Sequence, residues 1–312
     1  AEEEKEEELP EGVKKVRFNP ERHIMLEEAQ KIKKDSAPGE EIIFPLETKE
    51  EYGRIAAQTA KQVIIQRIRE AERESIYNEY AAKQGELVSG IVQRLEGRNV
   101  FLDLGRATAL LPKEEQVRGE RYRLGERIRA YLLLAEKNPK GPGLYLSRSH
   151  PRFVAKLFEM EVPEIQNGAV EIKALAREAG LRTKIAVASK EDGVDPVGSL
   201  VGQKGIRVGT VISELGGEKI DIIEWREAPE EFIAKSLSPA KVLEVEVNPE
   251  RNEATVKVAE DQLSLAIGRA GQNVRLAAKI TGYKIDIRSR SGETVASASE
   301  EGEVSGVEEK EK

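Results

Sequence analysis

The chain contains no cysteine, which excludes disulfides, thiolate zinc sites and cysteine nucleophiles. Histidine is nearly absent too: His23 and His150 are the only two, neither sits in a recognisable motif, and both read as surface residues. That leaves little for catalytic triads or metal cages. Aromatic residues make up 4% of the chain, which argues for several small aliphatic cores over one large aromatic core. No run of 18 apolar residues exists, so no membrane span is expected. The first eight residues carry six glutamates, which is not a signal-peptide pattern. The phosphate-binding loop of nucleotide hydrolases is also missing. Around Gly202-Gln203-Lys204 there is neither a glycine five positions earlier nor a hydroxyl residue after the lysine. These absences favour a cytoplasmic binding protein, with no catalytic residues, metal or cofactor.

What is present is 312 residues, 39% hydrophobic and 34% charged, enough for two domains or for about four small modules. The net charge of −7 is unevenly spread. Residues 1–11 hold seven glutamates and one lysine, and residues 291–312 hold seven glutamates and two lysines. The −6 and −5 of these ends leave +4 for residues 12–290. Acidic ends without hydrophobic pattern are expected to be solvated tails. A mildly basic middle permits a polyanionic partner.

Along the middle, Tyr52, Ile55, Thr59, Val63, Ile64, Ile68 and Ala71 recur at threes and fours, which predicts a long amphipathic helix over 52–80 with a core face and a charged face. Ahead of it lie an extended Val13–Phe18, a helical Glu27–Lys34 and an extended Ile42–Leu46. Five short strands follow Gly85: Leu87–Val92, Asn99–Leu104, Ala109–Leu111, Arg127–Leu134 and Gly143–Ser147. Their length and spacing suit a small OB-type barrel. From Pro151 an αββααβ order appears twice, with Gly202 matching Gly268 and the Ile-Asp-Ile of 220–222 matching that of 285–287. An internal repeat of this kind speaks directly to architecture.

Each repeat carries a tetrad between two helices, Gly202-Gln203-Lys204-Gly205 and Gly268-Arg269-Ala270-Gly271. Glycine at both ends allows a sharp turn and close approach to a phosphodiester. The following helix start offers free N–H groups and its positive dipole end. Lys204, Arg207, Arg269 and Arg275 add positive charge nearby. KH modules hold about four nucleotides of single strand in this way. A single Gly-x-x-Gly is as well explained by a steric corner, but two copies in matching context point to RNA. In the barrel, alternation turns Val100, Leu102 and Leu104 inward and Phe101 outward. Phe101 is either a stacking platform for a base or an aromatic covered by a neighbouring loop. Trp225, at a strand end, reads as a packing residue.

Longer stretches carry a resemblance. They are the helix from Gln58 through Arg73, Val162-Pro163-Glu164-Ile165, Asp195-Pro196-Val197-Gly198, Glu214 through Ile222, and Ala266 through Ala277. Together, over roughly residues 45–290 and in domain order, the chain resembles the NusA family of bacterial transcription termination/antitermination factors. That resemblance implies an N-terminal domain that docks on RNA polymerase near its RNA exit, and an S1–KH–KH unit that holds nascent single-stranded RNA. It further implies modulation of pausing, termination and antitermination, without enzymatic activity. Carried over residue by residue, the RNA-binding positions are Gly202 to Gly205 and Gly268 to Gly271, with Arg207, Gln272, Asn273 and Arg275 on the adjoining helix starts. The expected partners are single-stranded RNA, RNA polymerase and other antitermination factors, with no membrane and a monomeric state. Another reading of the same modules is a ribosome-associated or general RNA chaperone.

The expected architecture is therefore α+β and multidomain. It comprises an acidic tail (1–11), an N-terminal α/β domain with the long helix (12–81), an OB-type S1 β-barrel (82–149), two tandem type II KH domains (150–228 and 229–290) and an acidic disordered tail (291–312). The family's N-terminal domain usually has more chain ahead of the long helix, so part of the polymerase-docking domain is expected to be missing or diverged.

Overall fold

A computed structural model describes residues 23–44, 50–138, 141–290, 294–299 and 301–306. The chain divides into two units, residues 1–66 and residues 67–312. In the first, α1 (Leu26–Ile32) buries Ala29 and ends where Lys33 turns extended. The long helix α2 runs over Glu50–Ala82 and continues into the second unit. The expected core face on its first half is not covered among the described residues. Ile55, Val63 and Ile64 are all more than half exposed and line an open apolar groove. The expected segment Val13–Phe18, the tail 1–11 and residues 45–46 lie outside the described residues, and 42–44 are irregular.

In the second unit, the end of α2 packs Ile76, Tyr77, Tyr80 and Ala81 onto a barrel core. The barrel is built from β1 (Leu87–Glu96), β2 (Asn99–Asp103), β3 (Thr108–Leu111), β4 (Arg127–Asn138) and β5 (Gly141–Ser147). It closes in the order β1-β2-β3-β5-β4. Alternation buries Val100, Leu102, Ala109 and Leu111 and leaves Phe101 and Leu110 between them half-buried on the outer face. Gly90 lets β1 pass close to β2, since a Cβ there would lie 2.7 Å from Leu104 Cδ2.

The repeat folds twice. The first copy comprises α3 (Pro151–Glu161), a short α4 (Pro163–Gln166), β6 (Val170–Glu178), β7 (Arg182–Ser189), α5 (Pro196–Val201), α6 (Ile206–Glu214) and β8 (Lys219–Glu224). Its sheet order is β6-β7-β8, with β7 and β8 parallel. The second comprises α7 (Pro229–Ser236), β9 (Val242–Asn248), β10 (Glu253–Val258), α8 (Glu260–Ile267), α9 (Gln272–Thr281) and β11 (Lys284–Arg288). There the chain continues into β12 (Thr294–Ala298) and β13 (Val304–Ser305), giving a five-stranded sheet in the order β13-β12-β11-β10-β9.

This corrects the expectation of a disordered tail from residue 291. Small apolar residues at alternate positions make 294–298 a strand: Ala296 and Ala298 are buried, and Ala298 pairs with Ile285. The glutamate count concealed them, because Glu301 and Glu303 belong to the connection between β12 and β13.

Shared cores join the barrel to the first copy and the first copy to the second. Tyr131 of the barrel packs among Phe153, Leu157 and Phe158, and Phe232, Leu276 and Ile280 pack against Ala176, Ala186 and Ile223. Buried ions reinforce both junctions. Arg148 is 2% exposed and donates to Glu120, Glu214 and two backbone carbonyls. Lys184, fully buried, donates to Asp221 and to the Ser238 carbonyl. Burial presses its pKa down while Asp221 opposes that. His150, expected on the surface, is instead a junction residue. Its ring stacks on Tyr131 at 5.1 Å, its side chain accepts from the Arg152 amide, and burial lowers its pKa.

Candidate nucleic-acid interface

The two tetrads adopt the same backbone. Gly202 and Gly268 have φ/ψ of 72/175° and 74/174°, a region that only glycine occupies without strain. The third residues, Lys204 and Ala270, both have φ of 51° despite carrying a Cβ. Gly205 and Gly271 follow in the left-handed region at 74/18° and 71/14°. This turn is tighter than a simple helix corner. It lifts the two residues between the glycines into solvent, and Gln203, Lys204, Arg269 and Ala270 are all exposed. No side chain caps the N-terminus of α6 or α9; the amides of Ile206 and Gln272 donate back to the Gln203 and Arg269 carbonyls, and the positive end of each helix dipole faces the loop. Neither first turn carries an acidic residue, so nothing there opposes the dipole.

The flanking residues divide from the loop residues. Arg207, expected as a mobile cation, is held. Its Nη1 donates to Glu164 at 2.9 and 3.1 Å and to the Ser199 carbonyl at 2.7 Å. Glu164 and Arg207 line an open pocket of about 560 Å³ beside Gly202 and Gln203. Hydrogen bonding by its own backbone amide, and then Arg207, keep the Glu164 carboxyl below its usual range.

Asn273 is not at the surface at all. It is 2% exposed, and its Nδ2 donates to the carbonyls of Leu237, Leu265 and Ala266 at 2.9, 3.0 and 3.2 Å. That burial corrects the expectation that it contacts RNA. Gln272 and Arg275 point to the first copy, where both donate to Glu178 at 2.8 and 2.5 Å. Burial raises the Glu178 pKa, but these two donors overcome it and hold the carboxyl low. Sequence spacing could not show this, because Glu178 is 97 residues from Arg275.

On the barrel, Phe101 points outward as alternation requires, and it is half-buried. One face is already occupied, since the Arg94 guanidinium lies 4.0 Å from the ring centroid. The β1–β2 register pairs the two residues directly. Phe101 and Arg94 thus form a cation–π unit, leaving at most the other ring face for a base.

Comparison with known proteins assigns each part. Family models match the NusA N-terminal domain over residues 6–74, the S1 RNA binding domain over 82–147, the NusA-like first KH domain over 148–225 and the NusA-like second KH domain over 229–295. The transcription termination/antitermination protein NusA of Bacillus subtilis is 52% identical over 268 residues, spanning 86% of this chain and 72% of that protein. This chain belongs to the NusA family.

The NusA of Thermus thermophilus is 49% identical over 86% of this chain and 69% of its own length. That of Mycobacterium tuberculosis is 49% identical over 78% and 72%. The twin loops therefore lie in the two NusA-like KH domains, Phe101 in the S1 domain, and the first part of α2 in the NusA N-terminal domain. The second KH match ends at residue 295, inside the added strand β12.

Proposed function

We propose that this NusA-family chain binds nascent single-stranded RNA through its S1 and two KH domains, and docks on RNA polymerase through its N-terminal domain. In doing so it modulates pausing, termination and antitermination. It acts by binding and not by catalysis, as a cytoplasmic monomer. The observation that carries the RNA reading is the pair of superimposable Gly-x-x-Gly turns, each presenting an exposed cation, Lys204 or Arg269, ahead of an uncapped helix. The shared cores between modules support the same reading. Each module binding alone gains little, whereas modules held together gain through effective concentration.

The test replaces Gln203, Lys204, Arg269 and Ala270 by aspartate in one chain. All four are exposed, so the fold is expected to survive and single-strand affinity to be lost. Unchanged RNA affinity in that variant sinks the proposal. For the polymerase, a pull-down with the core enzyme, with and without residues 1–66, separates docking from RNA retention and leaves the end of α2 on the barrel core.

A further inference from the structure

We infer that Arg207 and Asn273 are equivalent positioning residues, each locking its Gly-x-x-Gly turn by donating back to the helix before it, and that neither is a contact to RNA. The inference rests on the reading of these loops as RNA clamps. The two residues stand five positions after Gly202 and Gly268. Their acceptors are equivalent as well: Arg207 donates to the Ser199 carbonyl and Asn273 to that of Leu265, in each case three residues before the glycine.

Those carbonyls need a partner for a definite reason. The last helical bonds of α5 and α8 run from the Gly202 amide to Gly198 and from the Gly268 amide to Ser264. Had the helices continued, Ser199 and Leu265 would have accepted from the amides of Gln203 and Arg269. The turn at glycine lifts exactly those amides away and orphans the carbonyls. The residue at the fifth position replaces the lost donor.

Contact geometry agrees. An added Cβ on Gly202 would lie 2.7 Å from Arg207 Cγ, and one on Gly268 would lie 2.8 Å from Asn273 Cβ. Both glycines are thus packed directly under the locking residue. One lock is cationic and the other neutral, yet the loop dihedrals agree within about 10° at every position quoted above. Loop shape therefore follows the donated hydrogen bond and not the charge.

A substitution set on the full chain separates a lock from a phosphate contact. The probe is end-labelled single-stranded RNA of randomised sequence, titrated at several salt concentrations. R207N transplants the second copy's lock into the first and is expected to keep affinity within about twofold of the parent. R207A removes the donor and is expected to weaken binding by roughly 3- to 10-fold with an unchanged salt slope. K204Q, at an exposed loop cation, should instead make the slope shallower by about 0.7. E164Q releases the hold on Arg207 and should leave affinity equal or lower.

The inference is overturned if R207N binds as weakly as R207A with the shallower slope of K204Q, or if E164Q tightens binding. Amide exchange at residues 202–206 in the free protein adds a readout that needs no RNA and no change in global stability. R207A should lose protection there and R207N should keep it; equal loss in both overturns the lock. Failure of the parent chain to bind the RNA would sink the clamp reading, leaving the exchange pattern to decide the lock separately.

Discussion

The two KH copies carry the same turn on different supports. In the first copy the turn hangs on a half-exposed ion pair, Arg207 to Glu164, beside an open pocket and on a three-stranded sheet. In the second it hangs on Asn273, buried among three carbonyls, and on Val304 of β13, whose Cγ1 would lie 2.7 Å from a Cβ on Gly271. The second copy is also fastened to the first through Arg275, Gln272 and Glu178. Backbone shape has been kept while the chemistry that holds it has diverged. The first loop is held by charges near solvent, which salt and ligands can reach; the second is held by the neutral Asn273 in the interior, with Arg275 adding one bond to the Ala270 carbonyl.

The largest expected effect comes from reversing the hydrogen bonding of the buried lock. Asn273→Asp keeps the shape, but it sets an acceptor against the carbonyls of Leu237, Leu265 and Ala266. An uncompensated buried charge costs about 3–5 kcal/mol. Arg207→Gln at the equivalent, half-exposed site should cost only about 1 kcal/mol. Urea unfolding of the two variants measures the difference, and equal losses would show that the two locks are not distinct in kind.

Next in size is the glycine that opens each turn. Gly202→Ala and Gly268→Ala both place a Cβ where φ is above 70°, which costs about 1–3 kcal/mol. The new atom would meet the flexible Cγ of Arg207 in the first copy, but the backbone nitrogen of Asn273 at 2.8 Å in the second. A side chain can swing aside and a buried backbone cannot. Gly268→Ala should therefore fall near the top of that range and Gly202→Ala near the bottom, as read by thermal or urea unfolding of each variant. A larger loss from the Gly202 change would break the comparison.

Much of this architecture was legible before any coordinates. Strand alternation and the 66-residue offset between Gly202 and Gly268 identify the repeat and its turns, because side-chain period and glycine placement are local properties. The supports were not legible. Asn273 looks like a polar surface residue at a helix start, and only the fold shows three carbonyls converging on it. Arg275 looks like a phosphate contact until β6 brings Glu178 against it. Strand β12 was hidden because its alternating alanines are weakly hydrophobic and glutamates dominate the residues around them. Long-range pairing decides such positions, and local pattern carries no record of it.

The smallest expected effect is on acidity, and it tests the comparison without any substitution. Two carboxylates support the loops, Glu164 at the first lock and Glu178 at the tether of α9. Both have folded-state pKa values below the ordinary glutamate value. A depressed carboxylate stabilises the fold above its unfolded pKa, about 4.3, and that contribution is lost as pH falls through the folded value. Nothing should therefore change between pH 7 and about 5. Below about 4.3, protonation of Glu164 releases Arg207 and loosens the first loop directly, by less than about 1 kcal/mol because the pair is near solvent. In the second copy Glu178 reaches the loop only through Arg275, which also donates to the Ala270 carbonyl at 3.2 Å, and the lock itself, Asn273, has no proton to gain in that range. Amide signals of residues 202–206 should shift before those of 268–272 as the solution is acidified, once intrinsic exchange is accounted for. If the second loop moves first, or both move together, the division between a titratable lock and a neutral one is wrong.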